Sequence, residues 1–403
     1  MDRGARTPFS KDFTQQEPIP EDAIQQAVNV LRTGRLHRYN TMPDGKSETT
    51  LLEEEFSDYQ GSEYCLACAS CGSALYLALK SAGVHTGDKV LCNAFTLAPV
   101  PGAIENTNAD IVLVDIKEDY TIDLDDLDRK AERSGAKYLL LSHMRGHITD
   151  MDIVRKICSA HKLFLIEDCA HTMGASWANR KSGTFGDIAC FSTQTYKHMN
   201  SGEGGLLTTN HPAVAARAII FSGSYMLYKD HTRRPDLKFF EVLKTQVPNY
   251  SCRMDNLRAA ILRPQLRELD DQCERWNTRY HLIENKLKAV PGLFIPERDV
   301  QEQFIGSSIQ FSLPGQDGNT ILAFIENCRE QGVVLKWFGA PEPDGYTSVY
   351  KHWQYMNTNP ELMNADRILA TMCDMRIPLT FTDTDCLDIA AIISQTAGRW
   401  LKD

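Results

Sequence analysis

The stretch "TQTYKHMNSGEGG", Thr193 to Gly205, sets a lysine between two strand-like runs, "ACFST" and "GLLTT". A loop lysine is ordinarily a solvated charge. Two features point further. Gly202, Gly204 and Gly205 imply positive φ or close backbone approach beside Lys197. Upstream, "LFLIEDCAH" brings Glu167 and Asp168 to the end of an apolar strand. A carboxylate buried there needs a partner, and a cation is the obvious one.

A third element could hold an anion. "CLACASCGSALYLAL", Cys65 to Leu79, begins as a short apolar strand. It then changes period, with Leu75, Leu79 and Ala82 at helical spacing and Gly83 as a stop. The loop Ser70-Cys71-Gly72-Ser73 therefore opens a helix, where free N–H groups and hydroxyls favour an anion. The three cysteines are spaced like thiolate cluster ligands. Cys65 and Cys68 differ by three, however, so on a strand they face opposite sides and cannot share one metal. We expect no metal here, and packing thiols around the loop. An ordinary capped helix would explain the loop equally well without its partners. A lysine that forms an imine, a carboxylate that keeps a ring nitrogen protonated and a helix start that holds a phosphate are together what pyridoxal phosphate requires.

The surrounding elements must bring these groups together. From Cys65 the chain alternates strand and helix: "KVLCNAF", "DIVLVDI", "KYLLLSHM", "LFLIEDCA" and "DIACFSTQ" read as strands, with helices between most of them. That alternation predicts an α/β fold with a mostly parallel sheet, and such sheets bind ligands at their carboxyl strand ends. Residues 1–20 read as a loose N-terminal arm and 21–265 as the large domain with its N-terminal helices. From 266 to 403 a long amphipathic helix beginning "PQLRELDDQ", short strands and a final helix predict a smaller α+β domain.

Composition narrows the classes. The 403 residues are 42% hydrophobic and 24% charged, which is ordinary globular composition. A net charge of −10 leaves no basic footprint for nucleic acid. No apolar run approaches the ~20 residues of a membrane span. Twelve scattered cysteines without a compact framework imply reduced thiols and a cytoplasmic protein.

Further motifs carry a family resemblance. "SCGSAL", "HMRGHITDMD", "IEDCAHTMGA", "SGTFGDIACFS", "KHMNSGEGG" and "RMDNLRAAILRPQL" follow one another in the order and spacing of the DegT/DnrJ/EryC1/StrS family. The chain resembles these fold-type-I pyridoxal-phosphate enzymes, mostly sugar aminotransferases, from about residue 18 to 275 and more weakly to the end. The resemblance implies a seven-stranded-type sheet in the large domain. It makes Lys197 the Schiff-base lysine and Asp168 the partner of the pyridinium nitrogen. His171 would contact the ring's 3-oxygen or its face. Gly72, Ser73 and Ser192 would hold the phosphate, although His171 could be a core histidine and Ser192 a loop cap. A homodimer with shared active sites is implied, with Ser251 crossing to the neighbouring cofactor where the family usually has Asn.

Other departures bear on substrate. Leu97 stands where an aromatic often covers the ring, or Phe95 reaches across instead. "LKWFGAPEPDGYTSVYKHW" replaces the usual small-domain segment, and the "HRYN" and "KHW" stretches resemble a branch that aminates a keto derivative of an eight-carbon acidic sugar. Arg35, Arg38, Arg145 and Lys336 could face the cleft and bind an anionic group, with Trp337 and Phe338 as an apolar wall, or all could be surface or core residues. The resemblance implies transfer of an amino group from an amino-acid donor, glutamate or glutamine, to a keto-sugar, with pyridoxamine phosphate as the intermediate form. Two other readings remain. A sugar dehydratase would keep the cofactor, though family dehydratases carry histidine at the lysine position, and here His198 is one place late. A sensor would bind the cofactor or a sugar without turnover.

Overall fold

The structure, a computed structural model, describes residues 8–42, 45–343, 349–356, 358 and 360–400. Seven strands form the central sheet: β1 (Tyr64–Cys68), β2 (Lys89–Asn93), β3 (Asp110–Val114), β4 (Tyr138–Ser142), β5 (Phe164–Asp168), β6 (Ile188–Ser192) and β7 (Gly205–Thr209). Their order is β1-β7-β6-β5-β4-β2-β3, and only β7 runs antiparallel to its neighbours. This is the mostly parallel α/β sheet expected from the alternation.

Both faces of the sheet are covered, so its strands are apolar throughout. Alternation sorts them. Val90, Cys92, Leu140 and Ile166 join the core under the Cys71–Ala82, Pro99–Glu105 and Pro212–Ile219 helices. Leu91, Leu139, Leu141 and Leu165 join the opposite core, with the Glu48–Gln60, Leu124–Ser134, Met151–His161 and Asn256–Arg267 helices. Cys65 and Cys68 fall into these two different cores, as their odd spacing requires. All twelve cysteines are free thiols.

The C-terminal part has its own three-stranded antiparallel sheet: β8 (Ser308–Ser312), β9 (Lys336–Trp337) and β10 (Met372–Arg376), in the order β8-β10-β9. Ile309, Phe311, Cys373 and Met375 face a separate core with the Leu269–Leu287, Gly318–Glu330 and Asp383–Trp400 helices. Two features differ from the linear reading. The arm is docked rather than loose: Phe9 N–H donates to the Gln331 carbonyl, and Phe9, Phe13 and Phe381 pack ring edge to face. Three aromatic rings together outweigh the entropy of ordering a short segment. Residues 1–7 of the arm lie outside the described residues.

The long helix expected from Pro264 is two helices, Asn256–Arg267 and Leu269–Leu287, broken at Glu268. Pro264 sits inside the first, where it lacks an N–H for the helical ladder. Phe338, Tyr350, Trp353, Leu362 and Ile368 also leave the C-terminal core and pack on the large sheet's core. Residues 344–348 of the unusual "LKWFGAPEPDGYTSVYKHW" segment lie outside the described residues.

Candidate active site

Register fixes where the strand ends meet. Ser142 pairs with Asp168 across β4 and β5, and Ser192 with Gly205 across β6 and β7. Ser142, Asp168 and Ser192 continue the residues Leu140, Ile166 and Cys190, which line one core, so all three point to the same face. Glu167, one residue off, points to the other. The N–H groups of Gly183, Phe185 and Gly186 donate to its carboxylate, and it pairs with His143 Nε2 at 3.1 Å. Backbone donors, rather than a catalytic cation, compensate its burial.

Asp168 is 5% exposed. The Ser142 hydroxyl donates to Oδ2 at 2.8 Å and the Ala170 N–H to Oδ1 at 3.1 Å, so the carboxylate is held in one orientation with acceptor capacity to spare. Asn93 ties down the next loop: Ser142 N–H donates to its Oδ1, and its Nδ2 donates to the carbonyls of Phe95 and Ser142.

Lys197 lies half-buried in the turn after β6, with Nζ 2.9 Å from Nε2 of His171. Burial first, and then the charge of Arg145, push the lysine down to about 8. Burial and the adjacent Lys197 hold His171 well below the usual histidine value, so it is neutral and accepts from the ammonium. A lysine that loses its proton near neutrality is poised as a nucleophile and a proton carrier.

The loop before the Cys71–Ala82 helix is capped by Ser70, whose Oγ accepts from Ser73 N–H and lies 2.9 Å from Ser73 Oγ. The backbone of β7 presses against it: a Cβ on Gly205 would fall 2.6 Å from the Ser70 carbonyl and Cys71 nitrogen. On Gly72 a Cβ would meet only Ser70 Oγ, at 3.8 Å, so this flank is open. Ser192, 5% exposed, accepts from Gln194 N–H at 3.3 Å.

The donor set fits pyridoxal phosphate. A buried carboxylate with free lone pairs suits a protonated ring nitrogen, a lysine with a lowered proton affinity suits the aldehyde, and the Gly72–Ser73 helix start suits the phosphate. Of the sequence candidates, Lys197, Asp168, His171, Ser192, Gly72 and Ser73 all sit at these carboxyl strand ends. Ser251 lies on exposed chain at φ 53°, its N–H donating to Asn249 Oδ1 at 2.7 Å. The neighbouring Cys252 carbonyl accepts from Ala69 N–H beside the same loop.

Several substrate candidates are corrected. Arg38 does not face a cleft. It is 2% exposed and gives a two-pronged ion pair to Glu53 at 2.7 and 2.8 Å, with His231 Nδ1 3.3 Å from its Nη2. Tyr39 completes this buried cluster through His231 and Ser224, so Arg38 and Tyr39 of "HRYN" are tied into the fold. Arg35 turns back on Asn40 and Thr41. Phe95 and Phe338 pack edge to face in the core, 5.2 Å apart, so Phe95 does not reach across the site. Trp337 donates to the Ala370 carbonyl and packs on the C-terminal core.

Two candidates stay near the site. Arg145 follows β4 and pairs with Asp374 of β10 at 2.7 Å. Lys336 lies opposite Asp374 on the same sheet. Sequence reading missed Ser142 and Arg376; alternation within "MCDMR" was the only signal that could have set Arg376 beside Asp374.

The family model for the DegT/DnrJ/EryC1/StrS aminotransferase family matches residues 19–394. The L-glutamine:2-deoxy-scyllo-inosose aminotransferase of Streptoalloteichus tenebrarius is 34% identical over 273 residues, 67% of this chain and 63% of that enzyme. The crystal structure of 3-amino-5-hydroxybenzoic acid synthase superposes with a TM-score of 0.83 at 23% identity, covering 98% of this chain and 100% of that one. A GDP-4-keto-6-deoxymannose-3-dehydratase superposes at 0.79 with 20% identity, covering 94% and 99%. These two structures share the fold of this chain, and with the family match they give the fold-type-I architecture.

Proposed function

The chain belongs to the DegT/DnrJ/EryC1/StrS aminotransferase family of pyridoxal-phosphate enzymes, and on that premise we propose that it moves an amino group from an amino-acid donor, glutamate in the simplest case, to a keto-sugar or sugar-derived ketone. The observation that carries this reading is Lys197 Nζ, 2.9 Å from neutral His171 and on the same strand-end rim as Asp168.

Bound pyridoxal phosphate supplies the carbonyl that accepts the amine and the ring that takes up electrons from the donor's α carbon. The chain's residues do the rest. Asp168, oriented by Ser142 and Ala170, would hold a proton on the ring nitrogen. Lys197, once its amine is free, would take up the proton that the donor's α carbon loses. Neutral His171 keeps the amine aimed without adding a second charge. The loop at Gly72 and Ser73, with Ser192, holds the phosphate.

A dehydratase fits less well, because Lys197 occupies the site and His198 is turned away. His198 Nδ1 lies 3.0 Å from the Met173 carbonyl and Nε2 3.1 Å from Ser307 Oγ. We also propose a homodimer that shares its active sites through the segment at Ser251. Exposed apolar residues on the same stretch, Tyr225, Met226 and Val242, support it. Among the described residues no helix is long and apolar enough to cross a membrane; a cytoplasmic location remains our expectation from the thiols.

The test loads the protein with pyridoxamine phosphate and offers a panel of keto-sugars. Amine transfer with return of the pyridoxal spectrum supports the reading. No transfer to any ketone, with elimination of water from a sugar instead, overturns it.

A further inference from the structure

Arg145 holds an uncommon backbone. Its φ and ψ are 55° and 24°, the left-handed region, which a residue with a Cβ occupies at a cost. Gly146 follows at φ 80°. A turn of this kind persists only where its surroundings fix it.

One side of the turn is tied to the active-site strand. His143 N–H donates to the Asp168 carbonyl at 3.1 Å, and Gly146 N–H donates back to the His143 carbonyl at 3.1 Å. The turn also lies on His171: a Cβ on Gly146 would fall 3.3 Å from the His171 carbonyl oxygen. The other side is held by two residues that precede β8, four apart in the chain. Arg298 Nη1 donates to the Gly146 carbonyl at 3.0 Å and to Glu302 Oε1 at 2.8 Å. The same Glu302 oxygen accepts from Ile148 N–H at 2.9 Å. One ion pair thus grips the turn on both sides of His147.

The pair is itself fixed. Its side chains are 8% and 4% exposed. The Arg298 guanidinium lies 4.0 Å from the centre of the Phe304 ring, and Glu302 pairs with Trp177 in a short antiparallel ladder. A buried ion pair is a poor route to stability, since apolar residues of like volume often serve as well. The geometry fits another task. The pair binds two peptide groups of the turn that carries Arg145, and Arg145 is the charge that acts most strongly on Lys197. The other titratable and charged groups that face this amine are Asp168, His171, His198, Cys71 and Arg376.

We propose that Arg298 and Glu302 are positioning residues for the reaction: they hold the left-handed turn at Arg145 and Gly146, and so set where the Arg145 guanidinium stands relative to the Lys197 amine. The inference rests on Lys197 as the reactive lysine of the aminotransferase reading. Without the clamp the turn relaxes toward ordinary backbone and withdraws the guanidinium. Both residues act through Arg145.

The test labels the full-length, cofactor-free chain with an amine-reactive reagent across a range of pH and reads the midpoint for the Lys197 peptide. Arg298→Met with Glu302→Leu removes the pair without changing net charge or stranding either ion. The midpoint is expected to rise by about half a pH unit or more, because a cation that withdraws by a few ångströms opposes the ammonium less. Arg145→Gln is expected to raise the midpoint in the parent and to add little in the double variant, since both changes remove one effect. Glu302→Gln is the milder variant, should the double one fail to fold. Loss of a negative charge by itself would lower the midpoint, whereas release of the turn raises it, so the sign separates positioning from a through-space charge effect. Arg298→Lys, which keeps a cation and an N–H for the Gly146 carbonyl, is expected to lie nearer the parent. A midpoint that stays or falls in the folded double variant, or in Glu302→Gln, overturns the proposal. A full additional shift from Arg145→Gln in the double variant overturns it as well. A midpoint that rises as expected, in a protein whose loaded parent transfers no amine to any keto-sugar, leaves the positioning standing and overturns the aminotransferase reading.

Discussion

The amine of Lys197 lies 2.9 Å from Nε2 of His171, and the two were set there by different strands. His171 follows β5 and Lys197 follows β6. Because burial and Arg145 push the lysine down to about 8, the free amine predominates only above that pH. Labelling of Lys197 in the cofactor-free protein is expected to rise with pH and level off above about 8. Removing the cation in Arg145→Gln should move the midpoint up. The burial cost of the charged lysine also implies that stability rises between the folded value and the ordinary lysine value, where only the unfolded chain keeps the proton. In the holoenzyme, borohydride should fix the cofactor to the Lys197 peptide, and a label on another lysine removes Lys197 from its role.

Asp168→Asn removes the charge and keeps the shape. The variant should still bind pyridoxal phosphate, while the donor half-reaction slows by about 100-fold or more, the range of a lost proton-holding group. Stopped-flow absorbance with L-glutamate measures it. A rate near that of the parent shows that Asp168 does not hold the ring nitrogen.

Gly205→Ala tests the cradle. The added Cβ would meet backbone atoms of Ser70 and Cys71 at 2.6 Å, and backbone cannot swing away. We expect a stability loss of about 1–3 kcal/mol from overpacking and weaker cofactor binding. Urea unfolding and equilibrium dialysis read the two effects separately. An unchanged affinity for cofactor would place the phosphate elsewhere.

Arg38→Ala should act on stability instead of substrate choice. It strands Glu53, whose carboxylate is bonded to Arg38 and to Ala67 N–H. Removing one partner of such a buried pair costs about 3–5 kcal/mol. Chemical denaturation should show that loss, whereas the Michaelis constant for the keto-sugar stays put in whatever fraction remains folded.

The proposed dimer predicts complementation. Chains carrying Lys197→Ala and chains carrying Ser251→Ala should each be weak alone. Mixed after partial unfolding, they should regain activity if each site draws on both chains. Full activity in a monomer at high dilution refutes the arrangement.

The sequence alone determined the order of strands and helices, because alternation and helical period depend on local side-chain pattern. It also determined which segments end at the binding edge, since a parallel sheet puts its carboxyl ends together. Lys197, Asp168 and the Ser70–Ser73 loop were legible for that reason. Only the tertiary structure decided which charges are spent and which are available. Arg38 and Arg376 look alike in the chain, yet Glu53 of a neighbouring helix neutralises the first, and among the described residues the second makes no ion pair. Glu167 and Asp168 are adjacent, yet the pleat sends one to three backbone N–H groups and the other to the site. The N-terminal arm has little pattern of its own, and its place follows from where Phe381 happens to lie. Pairing across distant segments is set by packing and register, and no local period encodes it.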